Sequence, residues 1–265
     1  MSVLIAIPAR FASTRYPGKP LVSLRGADGV VQSLIQRSWR AAMAVSGVDR
    51  VVVATDDASI REHAQGFGAE VIMTSTACEN GTERCAEVAQ CFPQYDIVVN
   101  LQGDAPLTPA WFVEDLIISL LDNPEANIAT PVLRCDGQML NALLNDRKQG
   151  RVGGTTAVFG ANGTGLYFSK EVIPFISKTY GDTDPTPVFH HVGVYAYRSD
   201  VLRAYATWPM GSLEALEGLE QLRFLENNCA LLCVEVAAKG RQFWELNNPQ
   251  DVPVIEQMMA QMGTK

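Results

Sequence analysis

Four short stretches of this chain combine charge, hydroxyl and glycine in ways that suit phosphate and metal chemistry. The first is Pro8-Ala9-Arg10-Phe11-Ala12-Ser13-Thr14-Arg15-Tyr16-Pro17-Gly18-Lys19-Pro20, which carries three cations within ten residues. Guanidinium forks and an ammonium group in one loop can wrap a polyphosphate, whereas the plainer reading is a solvated basic turn. The loop is neither a GxGxxG turn nor a Walker A loop, which counts against a nicotinamide oxidoreductase and a P-loop hydrolase. The second stretch is Thr55-Asp56-Asp57, where capping of a following helix accounts for one aspartate. The third, Gly81-Thr82-Glu83-Arg84, opens a helix and suits a base edge or a phosphate, although such a signal alone is weak. The fourth is Asn100-Leu101-Gln102-Gly103-Asp104-Ala105-Pro106. A carboxylate at a strand end, set by a glycine turn, is placed to hold magnesium between protein and substrate phosphates. An Asx-type turn before the next helix explains the same residues equally well.

The elements that would position these loops follow a rhythm. Val3–Ile7, Arg50–Thr55, Glu70–Met73, Asp96–Leu101 and Asn127–Leu133 read as strands. Helical patterns lie between them at Val30–Val45, Ala58–Phe67, Glu83–Cys91 and Ala110–Leu121. Strand alternating with helix predicts an α/β fold with a mainly parallel sheet and helices on both faces. In such sheets ligands bind beyond the carboxyl ends of the strands, where all four stretches fall. That placement favours the phosphate reading of the first loop. After residue 133 the rhythm breaks. Arg134–Gly154 is polar, with one short helix near Leu140–Leu144. Thr155–Phe159, Gly165–Phe168 and Val192–Tyr197 then read as an antiparallel excursion. Helices return at Leu213–Leu225 and Pro249–Met262, with a strand at Leu231–Val236. The expected organisation is one domain over 1–265 with an inserted antiparallel subdomain about 134–212.

Bulk properties narrow the classes. With 265 residues, 47% hydrophobic and 19% charged, the chain can bury a sizeable core and is not compositionally disordered. The apolar runs are too short to span a bilayer, and Met1–Ile7 lacks a basic leader, so no membrane partner and a cytoplasmic location are expected. A net charge of −8 without a basic run argues against a nucleic-acid partner. The six cysteines form no CxxC pair and are expected as free thiols, with Cys85 and Cys91 as small core residues of a helix.

Taken together, the loops resemble the cytidylyltransferase family that makes CMP-activated 3-deoxy-manno-octulosonate, an acidic sugar of lipopolysaccharide and capsule. The residues that carry the resemblance are Ile7–Leu21, Val51–Asp57, Asn80–Arg84, Val99–Leu107, Leu166–Lys170, His190–Tyr197 and Leu216–Glu226. It implies a Rossmann-like nucleotidyltransferase sheet, with CTP and an acidic sugar as substrates, a magnesium cofactor and a homodimer joined through the antiparallel excursion. It further implies that Arg10, Ser13, Arg15, Lys19, Thr55, Asp56, Thr82 and Arg84 bind nucleotide. On the same resemblance Arg10 and Lys19 would contact the triphosphate, and with Asp104 they would form the catalytic set. The resemblance likewise implies that Gln102, Tyr167, Lys170, His191, Glu220 and Gln221 serve the sugar and that Asp104 and Asn247 hold the metal. The acceptor hydroxyl would attack the α-phosphate of CTP in line and expel pyrophosphate, with no dedicated general base.

The chain departs from the family pattern in several places. Ala105 follows the QGD aspartate where the family has Glu, and Lys170 replaces an arginine. Thr155-Thr156 stand near a family valine–lysine pair. Asn247-Asn248-Pro249 replaces an aspartate-threonine-proline motif that brings a second metal carboxylate. Two substitutes are expected for that carboxylate: Glu245, if Phe243–Asn247 is extended, or Asp251, for which pairing with the last helix's dipole is the alternative. A related ulosonate, another anionic acceptor, or a catalytically weak nucleotide-binding protein remain alternative readings. His190-His191 also reads as a structural pair, one residue in and one out.

Overall fold

Val3–Ala9 is apolar or proline at every position, and all seven residues are buried, so this strand, β1, must be covered on both faces. In the computed structural model, which describes residues 1–13, 15–241 and 244–264, a hairpin follows: β2 (Ser23–Arg25) and β3 (Val31–Ser33). Next come α1 (Leu34–Met43), β4 (Arg50–Thr55), α2 (Ala58–Gly66), β5 (Glu70–Met73), α3 (Gly81–Cys91), β6 (Ile97–Leu101) and α4 (Ala110–Asp122). Then follow β7 (Ile128–Asp136), α5 (Gly137–Lys148), β8 (Thr155–Phe159), β9 (Gly165–Ser169), β10 (Pro185–His191) and β11 (Val194–Arg198). The chain closes with α6 (Ser199–Tyr205), α7 (Ser212–Glu217), α8 (Leu222–Glu226), β12 (Leu231–Glu235) and α9 (Asp251–Met262).

Two compact units emerge. The first comprises Met1–Glu114, Tyr197–Ala206 and Ala238–Lys265. Its strands run β5-β4-β1-β6, all parallel, as the β-branched runs and the alternation with helices predict. Chain order reverses direction across the sheet at the β1–β6 pair. At such a switch point the loops that follow the two strands diverge, and it is there that open α/β sheets receive ligands. A second apolar cluster in this unit joins Leu24, Leu34 and Leu107 to Leu246, Ile255 and Met259, so the last segment packs under the hairpin and α1.

The second unit comprises Asp115–Ala196 and Thr207–Ala237. Here β10 runs antiparallel to β7 and to β8, β8 runs antiparallel to β9, and β12 lies parallel to β7. A small core of Cys135, Leu140, Leu143 and Val188 holds α5 against these strands.

Several expectations need correction. The expected helix Val30–Val45 begins as β3, because Gly29 takes a positive φ in the hairpin turn and Ser33 then caps α1 by accepting from the Gln36 amide. The polar stretch 134–154 holds a helix of 12 residues, capped by Asp136, whose one apolar stripe enters the small core. Strand β10 was not anticipated. Its prolines at 185 and 187 interrupt the pattern, and its pairing with β7 shifts register between Pro185 and Phe189, where a missing N–H is tolerated. The expected helix Leu213–Leu225 is two helices, parted where residue 218 adopts φ 61°. Cys85 is buried as expected, but Cys91 is exposed at the helix end. All six cysteines are free thiols. Burial pushes Cys78 and Cys233 up to about 12 and Cys135 up to about 11, so these thiols stay protonated at neutral pH. Among the described residues, no helix is long and apolar enough to cross a membrane.

Candidate active site

In the first unit, strand geometry delivers the charged groups to the switch point. β1 ends at Ala9 and β6 at Leu101, so the loops carrying Lys19 and Asp104 leave neighbouring strand ends. Gly103 allows the close approach: a Cβ there would lie 2.6 Å from the Pro8 carbonyl oxygen. Lys19 Nζ donates to Asp104 Oδ2 at 2.5 Å and to the Leu246 carbonyl at 3.2 Å. Leu246 in turn donates its amide to the Asp104 carbonyl, which ties the C-terminal segment to the same spot. The pair is partly buried, with 14% of the lysine and 22% of the aspartate side chain exposed. Water-poor surroundings of this kind strengthen charge interactions.

The remaining cations of the first loop project outward. Arg10 is exposed and donates to the Glu79 carbonyl at 3.2 Å; Arg15 is exposed and donates to Asn247 Oδ1 at 2.7 Å. Ser13 is buried and its amide closes a turn onto the Phe11 carbonyl. Thr14, within this loop, and Phe243, within the run expected to be extended, lie outside the described residues.

Asn247, expected as a metal ligand, thus has its side-chain oxygen engaged by Arg15. The Glu245 carboxyl lies within reach of the Asp104 charge. Although much of that residue is exposed, its carboxyl is crowded. Desolvation and then the Asp104 charge push it up to about 7, against the pull of the Asn247 amide, Lys19 and Arg15. Asp251 is turned the other way: it accepts from the amides of Asn247 and Asn248 and from the Trp244 indole, as a helix-start carboxylate should. Among the described residues, no three His, Cys, Asp or Glu side chains gather as a metal-holding group. Magnesium, however, is commonly held by one or two carboxylates with substrate phosphates completing the shell. Two mutually repelling carboxylates therefore fit that ion.

Thr55, Thr82 and Arg84 are enclosed in the free protein. Thr55 Oγ1 accepts from the Asp57 amide, and Asp57 caps α2 by accepting from Ser59 and Ile60. Thr82 Oγ1 and Tyr197 OH are 3.0 Å apart. Arg84 reaches Asp56 Oδ2 at 3.0 Å and also donates to Thr74 Oγ1, so the loops after β4 and β5 are clamped together through α3. Gln102, half-buried, borders Gly81.

The second unit gathers a separate set. His191 is buried between the rings of Phe168 and Tyr195 and bonds Thr130 Oγ1 at 2.9 Å. Tyr195 OH donates to Gln221 Oε1 at 3.1 Å. Glu217, inside the Leu216–Glu226 stretch but not among the expected site residues, organises the neighbouring strand end by accepting from Tyr167 OH, Ser169 Oγ and the Lys170 amide. Glu220 is half-buried between α7 and α8. His191 is buried and His190 is half-buried, with its Nδ1 enclosed. Desolvation lowers His190 to about 4 and, with the charge of His190 added, His191 to about 3. Folded pKa values below the unfolded one mean that the unfolded chain binds more protons as pH falls. The stability they leave intact at pH 7 is therefore lost from about pH 6.5 downward through those values. We expect the thermal midpoint to fall between pH 6.5 and 4.5, and to fall less steeply in His190→Leu. Parallel curves for the two proteins would contradict the buried-neutral assignment.

Comparison with known proteins matches this architecture. The cytidylyltransferase family pattern covers residues 4–235. A protein of Maricaulis maris (strain MCS10) named 3-deoxy-manno-octulosonate cytidylyltransferase is 41% identical over 264 residues, 99% of each chain. One of the same name from Chlamydia pneumoniae is 41% identical over 256 residues, 96% of this chain and 92% of that one. The solved structure of a CMP:2-keto-3-deoxy-manno-octonic acid synthetase complexed with CTP superposes with a TM-score of 0.84. It is 32% identical and covers 99% of this chain and 100% of the other.

Proposed function

Because the chain belongs to the 3-deoxy-manno-octulosonate cytidylyltransferase family, we propose that it transfers CMP from CTP to that acidic sugar and releases pyrophosphate. The observation that carries this reading is the Lys19–Asp104 pair at the β1–β6 switch point. An ammonium suited to phosphate and a carboxylate suited to a metal ion, side by side where parallel sheets receive ligands, support it.

In this reading the first unit binds CTP. Arg10, Arg15 and Lys19 take the outer phosphates, and Lys19 exchanges Asp104 for a phosphate oxygen when the nucleotide arrives. Thr55, Asp56, Thr82 and Arg84 act by holding the loops around the base and ribose. Asp104 and Glu245 hold magnesium, while Asn247 steers Arg15. Bound there, the ion would neutralise phosphate charge and make the acceptor hydroxyl more acidic. The chain's own part is positioning: Lys19 and the arginines hold the pyrophosphate that leaves, and no side chain is assigned as a dedicated base. Gln102 is read as a sugar contact, as are Tyr167, Lys170, His191, Glu220 and Gln221 on the family resemblance. The enzyme is read as a cytoplasmic homodimer.

The direct test is magnesium-dependent pyrophosphate release from CTP across a panel of acidic sugars that includes 3-deoxy-manno-octulosonate. Release with a different ulosonate alone would replace the acceptor, and release with none would sink the sugar reading. A second test addresses the loop. Arg10→Ala and Lys19→Ala should each weaken CTP binding by about tenfold or more, the worth of a charged hydrogen bond, while CMP affinity changes little. Equal losses for the two nucleotides, measured by calorimetry, would contradict the outer-phosphate assignment.

A further inference from the structure

Asn100 is the penultimate residue of the fully buried strand β6, paired in register with Ala6 of β1. It is 0% exposed, and among the described residues neither its Oδ1 nor its Nδ2 has a hydrogen-bond partner. An enclosed amide with both ends unpaired weakens the free protein, and a leucine of similar shape would not. Its surroundings show what it faces. A Cβ on Gly81, at the start of α3, would stand 3.4 Å from Asn100 Nδ2. The same point lies 3.3 Å from Gln102 Nε2 and 3.4 Å from Gln102 Oε1. Gly81 therefore leaves open the space into which both amides project. Asn100 is sealed behind, and half-buried Gln102 stands in front.

We propose that Asn100 is a positioning residue for Gln102 in acceptor binding, an inference that rests on the assignment of Gln102 to the sugar. When the acceptor binds, Asn100 Nδ2–H donates to Gln102 Oε1. That bond fixes which way the Gln102 amide is turned and points its NH2 group outward as a donor. A donor so oriented suits an anionic sugar, whose carboxylate and hydroxyl oxygens accept. A glutamine without this support can present either end, so its donor is not preset. Asn100 itself touches no substrate; it acts through Gln102.

The test compares wild type, Asn100→Leu, Gln102→Ala and the double variant, with the acidic sugar that wild type turns over. For Asn100→Leu the thermal midpoint should stay the same or rise, and the Kd for CTP should stay within about twofold. The KM for the sugar should rise by roughly tenfold, the worth of one hydrogen bond in orienting a ligand, with kcat little changed. In the Gln102→Ala background the leucine should add no further increase in KM, because the two residues act as one unit. An unchanged sugar KM in Asn100→Leu overturns the proposal, as does an increase that adds fully to that of Gln102→Ala. If Asn100→Leu does not fold, Asn100→Asp takes its place, with the same expected KM rise and the same lack of additivity. Wild-type enzyme that turns over no acidic sugar would defeat the function reading first, and this inference with it.

Discussion

Asp104→Asn should lower turnover at saturating magnesium by at least about a hundredfold, the loss seen when one preorganised charge-stabilising group is removed from an active site. The amide keeps the shape of the side chain and can still accept from Lys19. What it removes is the negative charge that would hold a cation against the α-phosphate. The fold should survive, because the Leu246 amide bonds to the backbone carbonyl of residue 104 and not to its side chain. A thermal midpoint within a few degrees of wild type, beside collapsed turnover, is the expected pair of results. Near wild-type turnover would reduce Asp104 to a turn residue with a salt bridge.

The second large effect belongs to Glu245. Glu245→Gln should raise the magnesium concentration for half-maximal rate by about tenfold or more, since losing even an outer partner of a metal site costs that much. Manganese titration in the presence of a non-reacting CTP analogue, followed by electron paramagnetic resonance, reads the same loss without turnover. The sign of the pH dependence follows from the carboxyl's position near 7. Below that pH Glu245 carries a proton, and a cation must displace it to bind. The metal requirement of wild type should therefore climb as pH falls from 7.5 to 6, and that of Glu245→Gln should stay flatter. Asn247→Asp should change the requirement less, because the residue is engaged with Arg15. If Asn247→Asp sharply lowers the requirement while Glu245→Gln leaves it untouched, the metal is held at 247 and not at 245.

Much of the first unit could be read directly from the chain. Runs such as Arg50–Thr55 are β-branched and bounded by turns, and the strand found there has the same limits as the one expected. The loops after β1 and β6 were recognisable because charge and glycine follow apolar runs, and strand order alone brings them side by side. The electrostatic influence of Asp104 on Glu245 was less legible. Glu245 is 141 positions further along, a separation that follows from the numbering alone, and no local pattern marks which of Glu245, Asn247 and Asp251 turns inward. The choice is made by bonds of the neighbours: Asp251 is claimed by three donors and Asn247 by Arg15. In the second unit, β10 was hidden by its prolines and α5 by its polar faces. Glu217 escaped notice because a glutamate on an exposed helix looks solvated until Tyr167, Ser169 and the Lys170 amide are seen to converge on it.

The first unit is built from three separated stretches of chain, and the last of these begins at Ala238. Leu246 accepts from Lys19 and enters the cluster of Leu24, Leu34 and Leu107, with Ile255 and Met259 behind it. In synthesis the residues of that last stretch follow the rest of the first unit. A nascent chain can pair its early parallel strands long before then, yet it lacks both the wall beneath the hairpin and the second acidic group. A fragment that stops short of residue 238 therefore has neither the Leu246 carbonyl that accepts from Lys19 nor the carboxyl of Glu245.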